Sequence, residues 1–254
     1  MAPIEPSALM IAHRVEQEAL GRRVAAQAAS LVQARMDPSS PDRGWAGLLA
    51  ELIALIRGGR TVSEELAMEF YRYLREREAA EGQAPPRPEV PFPQDAVIGS
   101  MTWAGPRMAR AIRRRESSSP DSEVARRVGT MVGRSAMRHT LNGGRRVVQG
   151  AVITDEQAVG WARITDSDPC DFCRMLATRG PVYKTARTAG RTDLHRYHDG
   201  CACSVVPLFR TPETLGARQI EAPGRRRGSS RRGPDGMTDR QRAVVEQVRR
   251  ELGM

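Results

Sequence analysis

Four cysteines and one histidine lie in two short groups in the second half of the sequence. Cys170 and Cys173 form a C-x-x-C pair, and His198, Cys201 and Cys203 follow after a long insert. A C-x-x-C turn brings two sulfur atoms to one point, and thiolate and imidazole are ligands that Zn²⁺ favours in tetrahedral sites. The spacing therefore predicts that these five residues form one zinc-binding module.

The second group offers more ligands than a tetrahedral site needs. The C-x-x-C pair and His198 supply three, and the sequence leaves the fourth open between Cys201 and Cys203; His195 is a further candidate. Cys201 and Cys203 are two positions apart, so on an extended strand they would face the same side. One cysteine would then be a neighbour of the metal site and not a ligand.

Other chemistries of a cysteine pair fit this sequence less well. A thioredoxin-like redox pair needs C-x-x-C between a strand and a helix, but Asp168 and Pro169 precede Cys170, and a second Cys/His group follows. Disulfides belong to oxidising compartments. A catalytic zinc would need an open position and a general base, for which Asp193 and Asp199 are candidates, but no motif places either acid. We therefore expect a closed, structural zinc and no enzymatic activity.

The elements that precede this module are predicted to be helical. Apolar spacing and capping residues indicate helices over 7–36, 43–57, 61–80, 102–115 and 119–141, with glycine pairs ending the second and the last. His13 and His139 lie on these helices, where we expect surface or packing roles. Short β-prone stretches follow at 147–153, 161–165 and 204–209.

The predicted fold class is α+β, with a mostly helical N-terminal region, a small zinc-stabilised α+β module and a disordered basic tail. The tail includes a stretch, 238–252, whose spacing suits a terminal amphipathic helix. The expected organisation is a helical domain at 1–81, a proline-rich linker at 82–97, a basic helical region at 98–159, the zinc module at 160–210 and the tail at 211–254.

The charge of the chain indicates a polyanionic partner. The formal net charge is +10, and the segment 107–146 holds 11 basic and 3 acidic residues. Phosphate neutralisation provides most sequence-independent affinity for nucleic acid, so DNA contact through 107–146 and the tail is one expectation. A solvated helix face is the other. The sequence lacks a signal-peptide pattern and a membrane-spanning stretch, which predicts a cytoplasmic protein with no membrane partner.

The residues around the cysteines also form a recognisable pattern. Residues 160–165 read GWARIT, residues 169–183 read PCDFCRMLATRGPVY, and residues 198–203 read HDGCAC. This pattern resembles the C-terminal signature of the Mu F-like minor head proteins of tailed phages, in the actinobacteriophage form without a fused protease. The commoner ending is His-Pro-x-Cys-Arg-Cys, and the present one keeps the histidine and both cysteines in register.

The resemblance implies a minor capsid protein that acts in head morphogenesis and associates with the portal and with capsid or scaffold proteins. It would be found in the host cytoplasm during assembly and then in the virion, in the capsid interior or at the portal vertex. The basic regions would face packaged DNA. The alternative is a zinc-ribbon-type nucleic-acid-binding protein with no capsid role.

Overall fold

The computed structural model describes residues 7–78, 82–166, 169–178, 182–183 and 197–209. Within these residues the chain is mostly helical with one small antiparallel sheet. The helices are α1 (Ala8–Arg35), α2 (Trp45–Glu78), α3 (Gln94–Thr102), α4 (Met108–Arg115), α5 (Asp121–Thr154) and α6 (Asp171–Thr178), and the strands are β1 (Ala158–Ile164), β2 (Val182–Tyr183) and β3 (Ser204–Phe209). The predicted tail at 211–254 lies outside the described residues.

Helix α1 confirms the first predicted helix. Ser7 is its N-cap, and its side-chain oxygen accepts a hydrogen bond from the Met10 N–H at 3.4 Å. Such a cap satisfies one of the N–H groups that have no partner inside a helix. The helix ends at Arg35, before the Asp37-Pro38 break.

Helix α2 is one continuous helix, and the prediction of two helices separated by Gly58-Gly59 is wrong. A glycine inside a helix costs about 1 kcal/mol relative to alanine, which is why the sequence suggested a stop. Gly59 lies where three helices meet: a Cβ added there would be 2.8 Å from Val24 and 3.1 Å from Thr140. The glycine therefore serves close packing against α1 and α5.

Helix α5 also continues through a glycine pair that was predicted to end it. The helix runs to Thr154, so the predicted strand around 147–153 is helical. A Cβ at Gly144 would lie 2.6 Å from the Ser63 carbonyl oxygen, and one at Gly133 would lie 2.5 Å from the Ala25 carbonyl oxygen. Because glycine has no side chain, α5 approaches α1 closely at Gly133 and α2 closely at Gly144.

The proline-rich segment lies against the helices. A Cβ at Gly150 would be 2.8 Å from the Pro88 Cβ atom, and Arg87 pairs with Glu64 at 2.5 Å. The linker was predicted to extend to residue 97, but helix α3 already begins at Gln94. The domain boundaries proposed from the sequence stay predictions.

The predicted helix over 102–115 is interrupted by a π-helical turn. The turn spans Trp103–Arg107 and contains Pro106, which has no N–H to donate to the helical ladder. Gly105 lies against Trp45, whose ring would be 2.3 Å from a Cβ added at the glycine. Trp103 itself is half-exposed.

The sheet has the order β2-β1-β3, and both pairings are antiparallel. Strand β3 confirms the prediction at 204–209, and β1 begins three residues before the predicted 161. One hydrophobic cluster fills the space among α1, the first part of α2, α3, the π-helical turn, α4 and the first half of α5. A second cluster packs the sheet and three of the cysteines against the later turns of α2 and α5.

None of the helices in the described part of the chain has the length and apolar character needed to cross a lipid bilayer.

Candidate metal centre

The C-x-x-C pair lies at the start of helix α6. Cys170 directly precedes the helix and is exposed, whereas Cys173 lies in the first turn and is 1% exposed. The Arg174 N–H donates to the Cys170 carbonyl oxygen at 3.0 Å, which closes the turn. Helix N-termini favour negative charge, so this position suits two thiolates.

The second group is arranged by a tight turn over 198–201. The Cys201 N–H donates to the His198 carbonyl oxygen at 3.1 Å, and Gly200 has a φ of +81°. A side chain at Gly200 would be strained in this left-handed conformation, and its Cβ would lie 2.8 Å from Arg134 Nε. The Gly200 N–H also donates to the Arg134 carbonyl oxygen at 2.9 Å. Helix α5 therefore holds the turn in place.

The structure brings all five predicted ligands together. His198 Nε2 lies 3.0 Å from Cys170 Sγ and 3.4 Å from Cys173 Sγ, and Cys173 Sγ lies 3.5 Å from Cys201 Sγ. The ligand atoms fall into two groups that share Cys173, the first with Cys170 and His198 and the second with Cys201 and Cys203. Within each group all atoms lie within 4.8 Å of one another. The cluster is close enough to bind a metal ion.

The donor set fits a soft or borderline divalent metal. All four cysteines are free thiols, and His198 Nδ1 lies 3.0 Å from the Asp199 carbonyl oxygen, which leaves Nε2 facing the sulfurs. The hydrogen bond between Cys173 and Cys201 lowers the pKa of Cys201 and raises the pKa of Cys173. Several thiolates at this point would repel one another, and a bound divalent metal ion would supply the positive charge that offsets this repulsion.

Two buried arginines enclose the ring of Tyr197 beside the cluster. The Arg145 guanidinium carbon lies 3.7 Å from the ring centroid, and that of Arg163 lies 4.1 Å from it. Burial lowers the pKa of Arg163, but the electrostatic effect of Tyr197 and three cysteine sulfurs outweighs burial, so the pKa is raised overall. Burial also raises the pKa of Tyr197. The positive charge of these two arginines, next to the cluster, would stabilise cysteines in the thiolate form.

Sequence reasoning missed the residues that support this loop. Arg145 Nε donates to the Cys203 carbonyl oxygen at 3.0 Å, and Arg138 Nε donates to Asp199 Oδ1 at 2.5 Å. Asp166 Oδ2 accepts from the Ala202 N–H at 3.0 Å. These contacts join positions far apart in the chain, so motif spacing gives no sign of them. The one sequence signal that could have indicated such a residue is a charged side chain on an otherwise apolar helix face, as at Arg145.

The remaining candidates lie elsewhere. Asp193 and His195 fall outside the described residues, and Asp199 pairs with Arg138. His13 is buried and stacks on the Phe70 ring with centroids 4.1 Å apart. Burial lowers the pKa of His13 to about 3 and, with the neighbouring Arg138, that of His139 to about 4.

The basic segment 107–146 is partly neutralised within the fold. Arg110 pairs with Asp42, Arg113 with Asp121, Arg126 with Glu123 and Arg127 with Glu116. Arg145 is buried. The exposed arginines of the segment that have no carboxylate partner among the described residues are Arg107, Arg114, Arg115, Arg134 and Arg146.

Comparisons with known proteins place the chain in a phage family. Residues 6–219 match the family model described as VG15 protein. A similar protein is the Gene 15 protein of Mycobacterium phage D29, which is 28% identical over 37% of this chain and 43% of its own length. The match thus spans less than half of that relative, and no solved structure matches the chain. Because the family model covers the helices, the sheet and the whole cysteine–histidine cluster, the chain belongs to the VG15 protein family.

Proposed function

We propose that this protein is a minor capsid protein of the Mu F-like type that acts in phage head morphogenesis. The observation that carries the proposal is the family match over residues 6–219, together with a relative from a mycobacteriophage. The cysteine–histidine signature resembles that of Mu F-like proteins and converges on one site, which adds support. The proposed role is structural and involves no catalysis.

The proposed metal is zinc, and its proposed role is to hold the C-terminal module together. Cysteine and histidine are the ligands of structural zinc sites, and a metal cross-link replaces apolar core in a small module. The sheet has one long pairing, β1 with β3, and a two-residue third strand. A metal that joins α6 to the loop before β3 would connect parts that the sheet alone joins weakly.

The proposed partners are the portal, the capsid or scaffold proteins and packaged DNA, with the virion as the final location. Support for DNA comes from the five exposed arginines described above. Arg107 and Arg114 are seven residues apart and lie on the exposed side of the segment formed by the π-helical turn and α4. Trp103, half-exposed one turn earlier, offers a ring beside them. Arginine binds phosphate through its planar fork of N–H groups.

The capsid role is tested in a phage that carries this gene. A chain-terminating mutation should reduce the yield of infectious particles, and a tagged copy supplied in trans should restore it and co-purify with portal-containing particles in few copies. A Cys173→Ser copy should restore less, because the module loses its metal. Normal head yield and infectivity without the gene would contradict the proposal.

The second candidate function is nucleic-acid binding with no capsid role. It is favoured by the exposed arginines that have no carboxylate partner in the described part of the chain. The test uses the full chain and fluorescence anisotropy with labelled duplex DNA. Replacing Arg107, Arg114 and Arg115 with glutamine should weaken binding and lower the slope of log affinity against log salt by up to about 0.9 for each lost phosphate contact. Arg126→Gln is a matched control, because Arg126 is exposed but paired with Glu123.

The two candidates are separated by combining these tests. DNA affinity that is lost in the triple variant, together with normal heads in the phage lacking the gene, favours a nucleic-acid protein outside the capsid. Affinity that is equal at low and high salt would exclude phosphate contact by this surface.

A further inference from the structure

We infer from the structure that Cys201 is the fourth ligand of the metal site, while Cys203 stays outside the ligand set and donates a hydrogen bond to Asp166. The other three ligands are the C-x-x-C pair and His198. This inference rests on the zinc site proposed above and decides between two cysteines that spacing alone leaves equivalent. It also gives Asp166 the role of a positioning residue.

Two turns of the same spacing present the four ligands. Cys170 and Cys173 flank one turn, closed by the hydrogen bond to the Cys170 carbonyl oxygen at 3.0 Å. His198 and Cys201 flank the other, closed by a hydrogen bond of 3.1 Å between their backbones. The left-handed conformation of Gly200 allows the second turn to be this tight. Each turn delivers two ligand atoms, as a tetrahedral site requires.

Three of the six distances among these four residues are close to the edges of a zinc tetrahedron. Bond lengths of about 2.3 Å to sulfur and about 2.0 Å to nitrogen require about 3.8 Å between two sulfurs and about 3.6 Å between sulfur and nitrogen. The structure has 3.5 Å between Cys173 Sγ and Cys201 Sγ, and 3.0 Å and 3.4 Å from His198 Nε2 to Cys170 Sγ and Cys173 Sγ. Cys201 does not belong to the group of ligand atoms within 4.8 Å that Cys170 and His198 form with Cys173, so binding the ion would draw its sulfur towards that group.

Cys203 has a different environment because its sulfur faces a carboxylate. Cys203 Sγ lies 3.8 Å from Asp166 Oδ2, within range of a hydrogen bond from sulfur. An S–H group can donate to a carboxylate, whereas a metal-bound thiolate at the same place would be repelled by it. Cys201 Sγ has no such carboxylate neighbour among the described residues. The Cys203 sulfur lies within 4.8 Å of those of Cys173 and Cys201, so distance alone does not separate the two candidates. The neighbouring acid disfavours Cys203 as a thiolate and thereby favours Cys201 as the ligand.

Asp166 also fixes the loop that carries Cys201. The carboxylate oxygen that faces Cys203 accepts the Ala202 N–H at 3.0 Å, so one acid holds the two residues that follow the ligand. On the opposite side of the chain, Arg145 binds the Cys201 carbonyl oxygen at 2.7 Å. The loop is thus held from α5 and from the end of β1. Outer contacts of this kind orient ligands and typically change metal affinity by about 10- to 100-fold.

The test compares serine variants of the full-length chain by metal content and by the absorption spectrum of the Co²⁺-loaded protein. The wild type should bind one ion per chain with the charge-transfer intensity of three thiolates. Cys203→Ser should keep both the stoichiometry and the three-thiolate spectrum. Cys201→Ser should lose one thiolate from the spectrum and lower zinc affinity more than about 100-fold in competition with a chromophoric chelator.

Asp166 is tested by affinity and spectrum together. Asp166→Ala should lower zinc affinity about tenfold while the three-thiolate Co²⁺ spectrum remains, because the ligands stay and only their support is lost. Asp166→Asn keeps a side-chain oxygen for the Ala202 N–H and should recover most of the affinity. A change in the number of thiolates in either variant would contradict a positioning role.

Other outcomes overturn the assignment in distinguishable ways. Loss of a thiolate in Cys203→Ser, with a normal spectrum in Cys201→Ser, would reverse the two cysteines. A four-thiolate Co²⁺ spectrum that persists in His198→Ala would show that Cys203, and not His198, belongs to the ligand set. A wild type that binds neither Zn²⁺ nor Co²⁺ would overturn the zinc proposal as well. If Cys201→Ser does not fold, the spectrum of Cys203→Ser decides alone.

Discussion

Arg145 Nη2 donates a 2.7 Å hydrogen bond to the carbonyl oxygen of Cys201. The guanidinium is buried, and its Nε atom binds the Cys203 carbonyl oxygen at 3.0 Å. One side chain of helix α5 thus holds the backbone on both sides of Ala202. The helical part of the protein and the metal-binding loop are therefore coupled through a residue that is not itself a ligand.

Replacing Arg145 with methionine should lower the free energy of unfolding by about 2–4 kcal/mol. The variant leaves two buried carbonyl groups without their charged donor, and each such loss costs about 1–3 kcal/mol. Urea unfolding in saturating zinc measures the effect. Arg146→Met is the control: Arg146 is the next residue and is exposed, so a change within about 0.5 kcal/mol is expected. Equal effects at the two positions would contradict the coupling.

Two glycines in long helices should respond to alanine with opposite signs. Gly133→Ala should destabilise the protein by about 1–3 kcal/mol, because its Cβ would lie 2.5 Å from the Ala25 carbonyl oxygen. Gly58→Ala should stabilise it by about 0.5–1 kcal/mol, because nothing lies within 4 Å of its Cβ and alanine favours helix. Thermal unfolding of both variants distinguishes close packing from helix propensity. A stabilising change at Gly133 would show that the helices can separate at little cost.

Asp155 should contribute far more to the free energy of unfolding than an exposed ion pair does. Asp155 Oδ2 accepts hydrogen bonds from Arg75 Nε at 2.7 Å and from the Tyr71 hydroxyl at 2.9 Å, and all three residues are buried. Asp155→Ala should cost about 3–5 kcal/mol in urea unfolding because it leaves buried polar groups without this partner. Glu123→Ala, which breaks the exposed pair with Arg126, should cost less than about 1 kcal/mol.

The carboxyl group of Asp155 should also make the stability of the protein depend on pH in acidic solution. Burial raises the pKa of Asp155, but hydrogen bonds from Arg75, the Gln157 N–H and Tyr71 outweigh burial and lower it. A lowered carboxyl pKa in the folded protein means that its contribution is complete above the unfolded value of about 3.9 and is lost as pH falls further. The difference in stability between wild type and Asp155→Ala should therefore shrink below about pH 4.

Buried histidines should weaken the protein at mildly acidic pH. His13 and His139 have pKa values lowered to about 3 and about 4, whereas histidine in an unfolded chain titrates near 6.5. Between about pH 6.5 and pH 4 the unfolded chain binds protons that the folded chain excludes, so stability falls as pH falls. Each histidine contributes a slope of at most about 1.4 kcal/mol per pH unit.

The measurement is urea unfolding of wild type and His13→Phe at pH 7.5, 6 and 5. Phenylalanine keeps the stacking on Phe70 and cannot be protonated. The variant should gain stability relative to wild type as pH is lowered, and the comparison cancels any pH dependence of metal binding that the two proteins share. Parallel pH profiles would show that the folded protein accepts a proton at His13.

Several features could be predicted from the sequence because they depend on local spacing. The Ser7 cap and the break after Arg35 defined α1, and a short β-prone stretch of mostly apolar residues predicted β3 at 204–209. The C-x-x-C pair and the second Cys/His group predicted one cluster, and the structure brings these residues together. The resemblance of these motifs to a phage family agrees with the VG15 match.

Other features depend on contacts between distant residues, so only the tertiary structure decided them. Gly59 and Gly144 suggest helix ends by propensity, but the approach of neighbouring helices to within the radius of a side chain makes them packing positions. Asp166 is placed beside Cys203 by the end of β1, and Arg145 is placed beside Cys201 by α5. The sequence alone determined which residues could bind a metal, and the fold decided which neighbours surround each of them, because those neighbours lie dozens of residues away and meet only when the helices and the sheet pack together.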